Sequence, residues 1–302
     1  MGAHMSSPAG QDTGGGGLGD MPESCIAAVL GHLDPPEICR LARLNRAFRG
    51  ASSADFIWES KLPPNYCFLI HKLFNLNHIN HDDHEDHDHD DGDEDSGEVL
   101  PPALVGFTKK DIFACLSRPN LFDDGTKEIW VDKKTGGVCL SISSKALSIT
   151  GIDDRRYWNR IPNEESRFHT VAYLVQIWWL EVSGGLEFKF PAGTYSLFFR
   201  LQLGKSSKRF GRRICNLEHI HGWEIKPVRF HLTTSDGQHV VSECHLNNPG
   251  SWILYHGGDF VIKDSNTLTK IGFALTQIDC THIKGGLSLD SVLIHPKSID
   301  KF

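Results

Sequence analysis

Met21–Pro63 reads MPESCIAAVLGHLDPPEICRLARLNRAFRGASSADFIWESKLP. Three short helical patterns follow one another along it. Ile26, Val29, Leu30 and Leu33 recur at the spacing of one helix face. Asp34-Pro35-Pro36-Glu37 has the form of a helix start, with Asp34 as N-cap, Pro35 in the first turn and Glu37 closing a capping box. Ile38, Leu41, Leu44 and Phe48 continue one face of that second helix. Ser52 or Ser53 is placed to cap a third, which carries Phe56, Ile57 and Trp58 and stops at Pro63-Pro64. So small a bundle buries little area and leans on a partner or a neighbouring domain. Its apolar edge (Met21, Pro22, Ile26, Leu30, Pro35, Ile38) is expected to exceed what the bundle can hide. Apolar patches of that kind mark protein interfaces. The competing reading is that the edge only covers the domain behind it.

On the N-terminal side, residues 1–20 read as a flexible, disordered tail around Gly14–Gly17. Its start, Met1-Gly2-Ala3-His4-Met5-Ser6, fits an N-myristoylation pattern, and Gly-Ala-His-Met equally fits the scar of a removed tag. On the C-terminal side, residues 66–125 read as a helical linker, with one helix at Thr108–Ser117 turning Ile112, Phe113 and Leu116 inward. Residues 78–98 interrupt it with the low-complexity run HINHDDHEDHDHDDGDEDSGE. That run is too polar to bury surface and is expected to be a mobile loop. It holds eleven carboxylates and no Lys or Arg, so the formal net charge of −7 would become +4 without it. The acidic balance therefore belongs to one insert and not to the whole surface.

Beyond Gly125 short runs rich in β-branched and aromatic residues alternate with turns such as Ser235-Asp236-Gly237. The expected strands are Glu128–Asp132, Val138–Ser143, Leu147–Thr150, Leu174–Val182, Leu186–Phe190, Tyr195–Leu203, Trp223–Thr233, Val240–Leu246, Trp252–Ile262, Lys270–Gln277 and Ser288–His295. With no crossover helices between them, an antiparallel sandwich or barrel follows. The chain is thus α+β and mainly β, with a β-sandwich at 126–297. Trp178 and Trp179, being adjacent on one expected strand, should point to opposite faces, one into the core.

The 21–65 module resembles an F-box, with Met21 standing where the family pattern has leucine. That resemblance implies docking on the Skp adaptor of a cullin-type ubiquitin ligase through Met21, Pro22, Ile26, Val29, Leu30, Leu33, Pro35, Ile38, Leu41 and Trp58. The stretches LSITGIDDRRYW, IWWLEVSG, FPAGTYSLFFRLQLG, HGWEIKPVRFHL and KGGLSLDSVLI are similar to the phloem-protein-two lectin family. The combination resembles plant F-box proteins of the phloem-protein-two A group. It implies a jelly-roll-like sandwich and a protein or glycoprotein target. It also implies, in some members, binding of N-acetylglucosamine oligomers or N-glycan cores. Sugar-stacking tryptophans of that family fall in the segment matching LSITGIDDRRYW. Trp158, beside Tyr157, matches one of them, and Gly151 stands at the other. Aromatic faces stack on pyranose rings, but a Trp at this place equally serves as core.

Other constellations carry weaker chemistry. His78, His81, His84, His87 and His89 could hold Zn²⁺, Ni²⁺ or Cu²⁺, against the simpler reading of a solvated spacer. Lys205, Lys208, Arg209, Arg212 and Arg213 read as a solvated loop or as a nuclear-import or phosphate patch. Asp279, Cys280 and His282 place a thiol near an imidazole, which reads as a packing corner before a nucleophile. Nucleophile elbow, P-loop and H-E-x-x-H are all missing from the sequence, so a non-catalytic adaptor with no cofactor and no resident metal is expected. A ligase subunit, or alternatively a lectin acting outside a ligase, are the two function classes left. Nucleic acid is not an expected partner. The eight cysteines form no C-x-x-C pair. With no long apolar span and no glycosylation sequon, the chain is expected in the cytoplasm and nucleus with reduced thiols, and on membranes only if Gly2 is acylated.

Overall fold

The computed structural model describes residues 21–74, 106–209 and 212–297. The expected tail and the His/Asp-rich insert lie outside the described residues. Two compact units divide after Lys61.

The first unit holds four helices, not three: α1 (Glu23–Gly31), α2 (Pro35–Leu41), α3 (Arg46–Ala51) and α4 (Asp55–Glu59). The long second helix of the sequence reading breaks between Leu41 and Arg46. Asn45 is the cause, because its side chain accepts from the Phe48 N–H at 2.9 Å and starts a new helix. Leu44 consequently falls in the break and is 66% exposed. Asp34 occupies the N-cap of α2 without a side-chain cap bond, and Glu37 pairs with Arg40 and closes no capping box. The cap position of α4 is Ala54, not Ser52 or Ser53. α1 packs on α3 and α4. Its inner residues Ile26, Ala27 and Leu30 are buried, as are Ile38, Phe48, Ile57 and Trp58. The Trp58 indole donates to the Ser52 carbonyl at 2.7 Å, tying α4 to the end of α3.

The second unit opens with α5 (Tyr66–Leu73) and α6 (Lys109–Leu116). Thr108 and Asp111 form a reciprocal capping box that fixes the start of α6. Ile112, Phe113 and Leu116 turn inward as expected. Fifteen strands follow among the described residues: β1 (Asn120–Phe122), β2 (Lys127–Val131), β3 (Val138–Ser143), β4 (Ser148–Ile149), β5 (Trp158–Pro162), β6 (Thr170–Leu174), β7 (Leu180–Lys189), β8 (Gly193–Leu203), β9 (Lys205–Arg209), β10 (Arg212–Asn216), β11 (Val228–Thr234), β12 (His239–Cys244), β13 (Trp252–Ile262), β14 (Leu268–Gln277) and β15 (Leu287–Pro296). One sheet runs β1-β2-β3-β15-β6-β5, with β8 also pairing β15 and β13 beyond β8. The other runs β12-β11-β14-β7-β4, and every ladder is antiparallel. Phe199 of β8 and Phe230 of β11 bring their rings to 5.1 Å, so the two sheets face each other across an aromatic core. Burying each such ring contributes about 1.5–3 kcal/mol.

Three expectations fail here, the first being a strand from Trp223, since β11 begins only at Val228. Leu174–Val182 is not one strand, because β6 ends at Leu174 and the chain bends through 175–179 before β7. Within the basic KSSKRFGRR run, Lys205–Arg209 and Arg212–Arg213 are not loop but lie in the paired strands β9 and β10.

Candidate functional site

Periodicity decides which of the expected adaptor residues face out. Ile26 and Leu30, four apart, are 2% and 0% exposed, and Ile38 and Trp58 are 0% and 2%. Pro35 is buried too. These five are the core of the helical unit and not its edge, since a bundle this short spends its few large side chains holding itself together. Met21, Pro22 and Val29 are exposed, Val29 by 51%, while Leu33 and Leu41 are half-buried. Leu44 and Phe56, 66% and 55% exposed, are further exposed apolar side chains of the unit, outside the set the resemblance implies. Phe56 turns away from its sequence neighbours Ile57 and Trp58, which are buried.

Trp158 is 1% exposed and its indole donates to the Thr150 carbonyl at 3.1 Å. Its ring offers no face to a sugar, so the core reading holds and the stacking contact is corrected. Gly151 has φ +77° and a side chain there would press on the Tyr157 ring at 3.2 Å. Tyr157 itself is half-buried under Arg156, whose guanidinium carbon lies 5.6 Å from the ring centroid. Arg156 in turn hydrogen-bonds Asp154 and holds that carboxyl below its ordinary pKa.

The exposed aromatics of the sandwich lie instead at one end of it. Trp178 and Trp179 are 50% and 43% exposed in the bend between β6 and β7, so neither is core. Three connections meet there: 175–179, the stretch before β11, and the stretch between β14 and β15. Ile177 and Lys284 pair as a bridge, and so do His221 and Gly285. Gly222 and Gly285 make that approach possible, because a Cβ at either would lie 2.4 and 2.3 Å from the carbonyls of Ile283 and Val175. Lys284, 0% exposed, donates to the carbonyls of Trp178 and Gln277 at 2.6 and 3.0 Å. Burial pulls its pKa down. The Trp223 indole donates to the Gly285 carbonyl at 2.7 Å.

Beside this end a cavity of about 270 Å³ opens between β11 and β14, lined by Lys226, Arg229, His231, Thr276, Gln277 and Asp279, with Pro227 and Ile278. Lys226 lies 2.6 Å from Asp279, and its hydrogen bond holds that carboxyl at about 2. Arg229 Nε reaches Glu243 at 2.7 Å, and Thr276 Oγ1 lies 3.3 Å from His231 Nε2. On the neighbouring β7, Glu181 stands opposite Thr276 and accepts from the Trp179 indole at 3.0 Å. Cys280 is exposed, while His282 has Gly222 O and Thr281 Oγ1 as partners at 2.9 Å each. That engagement fits the packing-corner reading. Among the described residues no group of His, Cys, Asp and Glu is arranged to hold a metal ion, and the five histidines of the insert lie outside them. No described helix is long and apolar enough to cross a membrane.

Comparison with known proteins assigns both units. An F-box domain model matches residues 18–60 and a phloem protein 2 model matches 137–296. An F-box joined to a phloem protein 2 sandwich defines the class. The chain belongs to the F-box proteins of the phloem protein 2 A group. F-box protein PP2-A13 of Arabidopsis thaliana is 61% identical over 94% of this chain and 90% of its own. F-box protein PP2-A12 of the same plant is 57% identical over 93% and 88%. Among solved structures, a family 35 carbohydrate binding module from Clostridium thermocellum overlays 53% of this chain and 98% of its own at 11% identity and a TM-score of 0.32, too distant to compare sites.

Proposed function

We propose that the chain is the substrate-recognition subunit of a Skp-cullin-F-box ubiquitin ligase. The helical unit docks the Skp adaptor and through it the cullin scaffold, and the sandwich selects a protein or glycoprotein target. The chain performs no covalent step; it supplies proximity for a transfer that its partners catalyse. The observation that carries this reading is the exposure of the apolar side chains Met21, Pro22, Val29, Leu44 and Phe56 on a module whose core is already filled by other residues. Surfaces of that kind are interfaces. The assembly works in the cytoplasm and nucleus. Co-expression with a Skp adaptor, followed by size-exclusion chromatography, tests it: co-elution supports docking, and separate elution from a folded chain ends it.

A second reading has one observation in its favour. The Trp179 ring is exposed and pinned by Glu181, an arrangement suited to stacking on a sugar of the N-acetylglucosamine or N-glycan type. A glycan array on the folded chain tests this reading. Binding of chitin oligomers that Trp179→Ala abolishes would support a lectin role, and a blank array would remove it.

A further inference from the structure

The end of the sandwich that bears Trp178 exposes apolar side chains on each of the three connections that meet there. Trp178 and Trp179 stand in 175–179, Leu217 and Ile225 in the stretch before β11, and Ile278 and Ile283 between β14 and β15, all of them exposed. These connections are held in place. Lys284 donates to the Trp178 carbonyl and the Trp223 indole to the Gly285 carbonyl. The Ile177–Lys284 and His221–Gly285 bridges tie one connection to the next. Single exposed apolar residues are ordinary, but a set gathered on one fixed end marks an interaction site.

The β9–β10 hairpin leaves the sandwich from the same end. Leu203, the last residue of β8, pairs with Leu287, where the connection from β14 enters β15. The Gly204 N–H then donates to the Gly286 carbonyl at 2.6 Å, just before Lys205 opens β9. β10 returns to Asn216, opposite Lys205, and the chain continues directly into Leu217. Residues 205–213 of that hairpin contain Lys205, Lys208, Arg209, Arg212 and Arg213 and no carboxylate. The three connections themselves are close to balance, with Lys226 and Lys284 against Glu218, Glu224 and Asp279, and Glu181 follows at the start of β7. The nearby 150–157 turn sets Asp153 and Asp154 against Arg155 and Arg156. The hairpin therefore decides the sign of this end, and that sign is positive.

We propose that this end of the sandwich docks on an anionic lipid bilayer surface. The hairpin cations meet the headgroups, Trp178 and Trp179 lie at headgroup depth, and Leu217, Ile225, Ile278 and Ile283 enter the acyl boundary. A neutral sugar would use the tryptophans and leave the cations and the aliphatic side chains idle. A nucleic acid would use the cations, but leucine and isoleucine offer its bases no face to stack on. A bilayer surface engages both sets together. Docking of this kind holds the chain at a membrane and does not depend on the ligase assignment.

The test is co-sedimentation of the full chain with vesicles of phosphatidylcholine alone and with vesicles that also contain about 30% phosphatidylserine. The chain is expected to pellet with the anionic vesicles only, and to be released as salt rises. The double change Trp178→Ala with Ile225→Ala should weaken binding about ten-fold or more, and so should Lys208→Gln with Arg212→Gln. Trp178 and Ile225 are exposed, and glutamine keeps an aliphatic stem on the hairpin strands, so circular dichroism and melting temperature should be unchanged. A folded chain that stays in solution with both vesicles, pellets equally with neutral ones, or binds as tightly in either double variant would overturn the proposal. So would binding of a single-stranded RNA oligonucleotide in fluorescence anisotropy without any vesicle binding, which would give this end to nucleic acid. Adaptor co-elution is scored on the same proteins, so failure of the receptor assignment is distinguishable from failure of this site.

Discussion

The ammonium of Lys284 lies 2.6 Å from the backbone oxygen of Trp178, with no solvent exposure and no carboxylate in hydrogen-bond reach among the described residues. A lysine in such a place works as a backbone clamp: it satisfies two carbonyls that the bend after β6 and the end of β14 would otherwise bury unpaired. Replacing it by methionine keeps the stem and removes the donors. Lys284→Met should lower unfolding stability by about 1–3 kcal/mol and shift the tryptophan emission as the Trp178–Trp179 bend loosens. Urea denaturation and fluorescence check both; a variant with unchanged emission would show that the bend needs no clamp.

Asp290 offers a second check on the sandwich. A bulge between Leu289 and Ser291 takes it out of the β8 register, and its 1% exposed carboxylate meets Arg200 at 2.6 Å. Arg200 also covers the Trp252 ring at 4.6 Å. Breaking a buried pair strands a charge, so Asp290→Ala should cost about 3 kcal/mol, while exposed Arg229→Gln should leave unfolding within about 0.5 kcal/mol.

Acid should weaken the fold through Asp259. Partial burial pushes its carboxyl up, but hydrogen bonds from Lys297, Ser196 and His256 outweigh that and leave it at about 2. A carboxyl with a folded pKa below its unfolded one contributes stability above the unfolded value and loses it as pH falls toward the folded one. The melting temperature should therefore drop between about pH 4 and pH 2, and Asp259→Asn should flatten part of that slope.

In the helical unit, core and surface should separate cleanly. Leu30→Ala opens a cavity under α1 and should cost about 2–5 kcal/mol, with loss of helical circular dichroism. A charge at Leu30 or Pro35 would therefore unfold the module and would report nothing specific about docking.

Much of this architecture was legible in alternation alone. Val138–Ser143 and Trp252–Ile262 were read with their observed bounds, because β-branched and aromatic runs there end in turns. β9 and β10 were missed since a Lys/Arg-rich hairpin has no apolar alternation to betray it. The bend at 175–179 was hidden for the opposite reason: IWWLEV is as apolar as a strand, and only the pairing of Ile177 with Lys284 breaks it. In the F-box, helical spacing located the apolar residues but could not say which side was inner. Leu30 and Val29 are neighbours in sequence and opposite in burial, and packing alone decides between them.

The most direct measurement is co-elution of the full chain with a Skp adaptor, for the native sequence and for Val29→Glu and Phe56→Glu. Both side chains are more than half exposed, so each variant should keep its circular dichroism and melting temperature. The native chain is expected to form a one-to-one complex and both variants to elute alone. A complex that survives both charges, or a folded native chain that never binds the adaptor, would contradict the docking assignment.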